Sequence, residues 1–245
     1  MRQKAVKIFC TYFGHRRGDF NTPDDMKSFF DTNIDNEISI DNGIDTDVII
    51  VNNKCGVVES DQFVLKYKNL KTKNGSIIVE ERDNIGGSFG AYFEMFLKYK
   101  NDYDYWFFCE DDVLIFKQNY MKDFIDFIDS DEKLGFVCLA PISERNIEKI
   151  HSGGGIGLST TEKFKIVYND NKIVDILNNM VANPSYGRLQ KDEELFTTNF
   201  ILNEMNIKNH PNYSSLAENY TKHSTQPGFA TPENLEKEFI YKVGF

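Results

Sequence analysis

Residues 105–109 read YWFFC and run without a polar break into Glu110-Asp111-Asp112. A short apolar run that does not alternate with polar residues fits a strand covered on both faces, as in a parallel sheet held between helices. A second run, 47–51 (DVIIV), has the same character, and 134–140 reads as another buried strand. These runs limit the fold to one whose sheet has no solvent face.

Helical spacing fills the intervals. Thr22-Pro23-Asp24-Asp25 is a helix start with an N-cap, Pro at the first position and acids in the first turn; Phe29, Phe30 and Ile34 form its buried side. Residues 60–70 read as a helix with Phe63, Val64, Tyr67 and Leu70 inward, and 76–81 as the next strand. Ser88 is expected to cap a helix whose Phe89, Tyr92, Phe93, Phe96 and Leu97 share one face. Another helix spans about 120–128. This β-α-β-α order predicts an α/β fold with a mostly parallel sheet and helices on both faces. Beyond Pro141 the pattern loosens into a Gly-rich turn at Gly153-Gly154-Gly155-Ile156-Gly157, helical stretches at 171–182 and 192–206, and a polar C-terminal part with a short element near 235–243.

The 245 residues suffice for one sizeable core, and no linker or repeat divides them. Lys and Arg number 28 against 38 Asp and Glu, a formal net charge of −10. That balance argues against a general nucleic-acid binder and leaves room for a local site for a small anion. No stretch approaches the roughly 18 apolar residues of a membrane helix, and no signal-peptide pattern opens the chain, so any membrane contact is expected to be peripheral. Cys10, Cys55, Cys109 and Cys138 lack zinc-like spacing and read as free thiols in a reducing compartment. The expectation is a soluble cytoplasmic protein, either whole or a domain cut from a longer chain.

The acidic triplet carries the chemistry. In open α/β sheets, ligands sit outside the carboxyl ends of the strands. Three adjacent carboxylates there repel one another, and a hard divalent cation with oxygen ligands relieves that repulsion. Mn²⁺ or Mg²⁺ also keeps coordination positions for substrate phosphates.

With the triplet in place, the chain resembles the nucleotide-sugar-dependent glycosyltransferases of the GT-A fold, family-two enzymes in particular. The landmarks are the strand and polar loop IFCTYFGHRRGD, the segment RDNIGGSFGAY, Glu110-Asp111-Asp112 in the place of the Asp-x-Asp motif, and KDEELFTTNF as the segment bearing a general base. The match covers roughly residues 5–205. Glu110 replaces the usual first Asp, and Asp192-Glu193 reverses the usual Glu-Asp order.

The resemblance implies a single GT-A-like domain, with a nucleotide-binding half at about 1–115 and an acceptor half with a C-terminal extension at about 116–245. It implies transfer of a hexosyl-type sugar from a UDP-, GDP- or dTDP-sugar to a hydroxyl of a glycan or glycoconjugate, in carbohydrate biosynthesis. Asp112 would hold the metal directly; Glu110 would act through water or on the ribose, and Asp111 is adaptable between these roles. Thr11, Tyr12, His15 and Arg16 would line the nucleotide, with Arg17 read as a solvated turn. Asn52 and Asn53 would reach the base edge or simply form a turn. Arg82, Asn84, Gly86 and Gly87 would border the donor, and Gly154 and Gly155, near His151, would let a sugar approach the backbone. Glu193 is the first candidate for the base and Asp192 the second, each equally at home as a first-turn cap. His223 is a candidate metal ligand, and His210 reads as an ordinary loop histidine.

Other classes fit less well. A sugar-1-phosphate nucleotidyltransferase needs a Gly-rich basic N-terminal loop that IFCTYFGHRRGD lacks, and a phosphohydrolase needs further carboxylates or histidines. A sugar-nucleotide or carbohydrate-binding module without turnover remains an alternative.

Overall fold

The computed structural model describes residues 3–14, 22–139, 152, 155–183, 190–213 and 240–242, with 190–194 and 240–242 in backbone only. In chain order the elements are β1 (Ala5–Thr11), α1 (Pro23–Ser39), β2 (Thr46–Lys54), α2 (Val58–Gln62) running into a 3-10 helix (Phe63–Tyr67), β3 (Ile77–Asp83), α3 (Gly87–Tyr99), β4 (Tyr105–Glu110) and β5 (Val113–Ile115). Then come α4 (Tyr120–Asp129), β6 (Leu134–Cys138), β7 (Gly157–Thr160), α5 (Thr161–Val167), α6 (Asp170–Ala182), α7 (Gln190–Leu202), β8 (Asn206–Asn209) and β9 (Ile240–Lys242).

The expected α/β architecture is present as a mixed, mostly parallel seven-stranded sheet in the order β3-β2-β1-β4-β7-β6-β8. Strand β7 alone among these runs against its neighbours, β4 and β6. The runs 47–51 and 105–109 lie in β2 and β4, both flanking β1, and both are buried over their whole apolar length. Their continuous apolar character follows from two cores. One face of the sheet packs on α1, the 3-10 helix and α4 through Phe9, Phe30, Ile50, Phe107 and Phe124. The other packs on α3, α5, α6 and α7 through Ile8, Val51, Phe108, Phe96 and Phe196. No helix among the described residues is long and apolar enough to cross a membrane.

Helix α1 starts as its sequence indicates. The Thr22 hydroxyl accepts from the Asp25 N–H, the Asp25 carboxylate accepts from the Thr22 N–H, and Pro23 follows the cap. Its inward face is less apolar than expected. Beside Phe29, Phe30 and Ile34 it buries Asn33 and Glu37, and Glu37 pairs with the fully buried Lys7 of β1 under the Tyr120 hydroxyl.

Three expected boundaries differ. The 60–70 helix breaks because Asn69 takes a left-handed conformation and residues 69–70 exchange backbone hydrogen bonds with Ile77 at the start of β3. The 192–206 helix starts at Gln190 and stops at Leu202, where Glu204 turns left-handed and the chain enters β8 as an edge strand beside β6. Helix α3 begins with Gly86 at the cap position, left-handed at φ 71°, and Ser88 falls inside its first turn.

Candidate functional site

The strand order places a topological switch point between β1 and β4. The chain leaves β1 for β2 and then β3 on one side, and crosses by α3 to β4 on the other. Ligand crevices form outside the carboxyl ends of such a pair. Thr11 and Glu110 end these two strands, and Cys10 lies in register with Glu110. The triplet therefore sits where the sheet opens.

The three acids take different positions. Glu110, half-buried, accepts a hydrogen bond from the Ser88 hydroxyl at 2.8 Å. That contact joins the Gly-Gly-Ser start of α3 to the triplet. Asp111 continues the β1–β4 ladder past its last strand residue. Its N–H donates to the Cys10 carbonyl at 3.2 Å and its carboxylate accepts the Tyr12 N–H at 3.1 Å. Asp111 is only 3% exposed, so it acts as a clamp between strand ends more than as a ligand to a substrate. Asp112, 7% exposed, stands between that clamp and β5.

Under the triplet lies Tyr92, one turn after Ser88 on α3. Its ring packs on Phe108 of β4, centroids 5.0 Å apart, and its fully buried hydroxyl has no hydrogen-bond partner among the described residues. Burial first, then the Glu110 charge, hold this phenol well above its ordinary value, so it stays protonated. None of the four cysteines forms a disulfide; burial pushes Cys109 and Cys138 up to about 12, which keeps both thiols protonated.

The start of α3 presents its first amides at the same edge. Gly86 and Gly87 both have positive φ, and the first intrahelical bond runs from the Gly90 N–H to the Gly86 carbonyl at 3.1 Å. A Cβ on Gly86 would lie 2.2 Å from the Met180 sulfur of α6, so this turn needs glycine for conformation and for space. Asn84 precedes it, partly exposed.

Several residues expected at the donor are occupied in the fold. Arg82 is buried and its guanidinium is bidentate to Glu94 of α3, with further bonds to the Asn53 side chain and the Ile85 carbonyl. It fastens β3 to α3 instead of bordering a ligand. Asn53 also donates to the Thr11 carbonyl, and Asn52 donates to the Asp61 carbonyl at 2.6 Å; both are buried and serve the turn after β2. The Thr11 hydroxyl is buried and donates to the Val51 carbonyl. Tyr12 is half-exposed, the hydroxyl end of its ring beside Gly14.

Gly155 does not open the backbone to a sugar. A Cβ there would meet the Phe196 ring at 2.8 Å and the Phe89 ring at 2.9 Å, so its smallness serves aromatic packing between α7 and the first turn of α3. That packing, with the Thr197 hydroxyl accepting the Ser152 N–H, anchors α7 beside the triplet's edge of the sheet. The backbone of residues 192–193 falls in the first turn of α7, one turn before this anchor; the side chains of Asp192 and Glu193 lie outside the described residues. His15, Arg16, Arg17, His151, Gly153, Gly154 and His223 lie outside them as well. His210 is buried against Phe124 and Tyr213, with its ring nitrogens bonded to the Asp123 carbonyl and the Asn212 N–H.

Among the described residues, no three His, Cys, Asp or Glu side chains converge as a metal cage. The structure thus brings together Tyr12, Gly86, Gly87, Glu110, Asp111 and Asp112. It adds two residues that the sequence suggested only as a cap and a core aromatic, Ser88 and Tyr92. Their signal was the spacing: four apart on one helix, they share a face. No protein-family model matches this chain, and no curated protein matches it.

Proposed function

We propose that this chain is a divalent-metal-dependent glycosyltransferase of the GT-A type, moving a sugar from a nucleoside-diphosphate donor to an acceptor hydroxyl. The observation that carries this reading is the seat of Glu110-Asp111-Asp112 at the switch point of the sheet, joined through Ser88 to the glycine-led start of α3. Carboxylates and a helix N-terminus side by side are opposite in preference. The amides and dipole of α3 favour an anion, and the acids favour a cation. A diphosphate bridged by a cation satisfies both.

The residues present fit Mn²⁺ or Mg²⁺. Glu110 and Asp112 offer hard oxygen donors, and such ions are commonly held by one or two carboxylates plus substrate phosphates, without a full protein cage. The Tyr92 hydroxyl, close to these acids and without a hydrogen-bond partner among the described residues, also suits a site whose remaining oxygens arrive with a ligand. A bound cation would neutralise the diphosphate and ease its departure.

The chain's own residues supply the rest. Asp111 locks the ends of β1 and β4, so the crevice does not widen when charge enters it. The first amides of α3 receive a phosphate oxygen. The Tyr12 ring offers a face to the base. The acceptor oxygen bonds to the anomeric carbon as that carbon's bond to the diphosphate oxygen breaks, through an oxocarbenium-like state. In an inverting reaction the acceptor proton passes to a carboxylate, the role assigned to Glu193 and, after it, Asp192.

Thermal melts test the reading. UDP or GDP should raise Tm when Mn²⁺ is present and not in EDTA, since only a ligand of the native state stabilises it. Asp112→Ala should keep its fold and lose the effect. Equal stabilisation in EDTA would remove the bridging cation from the account.

A further inference from the structure

Strand β5 follows Asp112 directly, and among the described residues one of its edges has no strand beside it. The other edge pairs with β9 in antiparallel register, Val113 opposite Lys242 and Ile115 opposite Ile240. On the open edge stand two amides of α1. The Asn33 Nδ2–H donates to the Val113 carbonyl at 2.6 Å, and the Asn36 Nδ2–H donates to the Ile115 carbonyl at 2.7 Å. The spacing explains the match. Carbonyls two apart on a strand face the same edge, and side chains three apart on a helix lie on one face. Helix α1 thus takes the place of a neighbouring strand.

We infer that Asn33 is a positioning residue for Asp112, holding the first peptide of β5 so that the carboxylate one residue earlier has a fixed place in the crevice. The inference rests on the proposed role of Asp112. The chemistry of Asn33 favours positioning over plain stabilisation. It is fully buried, yet its Oδ1 atom has no hydrogen-bond partner among the described residues. A half-satisfied buried amide costs much of what its one bond gains. An apolar side chain of similar size would fill the same buried space without that cost. What it could not do is fix the Val113 carbonyl.

The test is calorimetric titration of UDP into the full chain with saturating Mn²⁺, alongside thermal melts of each variant. Asn33→Leu should weaken binding about tenfold, the lower end of what losing a supporting partner costs at a metal site. Asn36→Ala, two residues further from Asp112, should weaken it less, and it provides the readout if Asn33→Leu does not fold. Ile34→Val, on the same helix but with no hydrogen bond from its side chain to β5, should lower Tm and leave affinity unchanged. A graded loss in this order supports positioning. Wild-type affinity in both asparagine variants overturns it while leaving the metal site standing. Wild-type protein that binds none of UDP, GDP and dTDP with Mn²⁺ overturns the site and, with it, the role of Asn33.

Discussion

Asp111 and Asp112 are adjacent carboxylates with opposite uses. Asp111 spends its backbone and side chain on Cys10 and Tyr12, holding two strands together; Asp112 is assigned to the cation. Asp111→Ala is therefore expected to lower stability, by about 1–3 kcal/mol for a lost charge-assisted bond, whereas Asp112→Asn should spare stability and lower turnover about 100-fold. Arg82 shows what sequence could not deliver. Its place after a strand and before Gly-Gly pointed to the donor, but its partners Asn53 and Glu94 lie 29 and 12 residues away, and no local pattern announces them. Arg82→Met should cost about 2 kcal/mol of stability, below the range for fully buried pairs because Glu94 is partly solvated, and leave the affinity for UDP with Mn²⁺ unchanged. Tyr92→Phe separates function from packing. Removing a hydroxyl with no partner among the described residues should leave Tm equal or higher in denaturation scans and weaken metal-dependent nucleotide binding.

Helix α3 is the element on which the site turns. Its apolar face was legible, because Phe89, Tyr92, Phe93 and Phe96 repeat at helical spacing and all are buried. Its start was not. Ser88 looks like a cap, but Gly86 holds that position and leaves the serine hydroxyl for Glu110. Gly86→Ala should therefore do double damage, forcing a Cβ into a left-handed turn and into Met180. The expected cost is about 1–3 kcal/mol, together with loss of Mn²⁺-dependent UDP stabilisation in thermal melts; an unchanged response would show that the amides of this turn do not reach the phosphate. Helix α1 was legible in its N-cap, its Pro at the first position and its aromatic side. Asn33 and Glu37 gave no signal of their burial, because their partners, β5 and Lys7, lie far off in sequence. Periodicity reports how apolar a face is, not what polar groups it meets.

For the whole molecule, the continuous apolar strands were enough to predict a sheet covered on both faces. The alternation of elements predicted its mostly parallel sense. The position of β7 between β4 and β6, and its reversed direction, left no trace in a four-residue strand. The fold also carries a pH dependence of its own. Burial first holds His210 below its ordinary value of 6.5, with the Asp123 carbonyl opposing. Between its lowered value and 6.5 the unfolded chain binds the proton more readily, so stability rises with pH across that window. It is complete above 6.5 and falls as the medium is acidified through it. His210→Gln should flatten this part of the profile in denaturation curves between pH 5 and 7.

The central claim is that Asp112 anchors a cation shared with the diphosphate of an activated sugar. The most direct measurement is an anomalous difference map from crystals grown with Mn²⁺ and UDP or GDP. A manganese peak at coordinating distance from the Asp112 carboxylate, touching both phosphates beside the first turn of α3, is the predicted result. Manganese and nucleotide bound together elsewhere, with Glu110 and Asp112 bare, would contradict it.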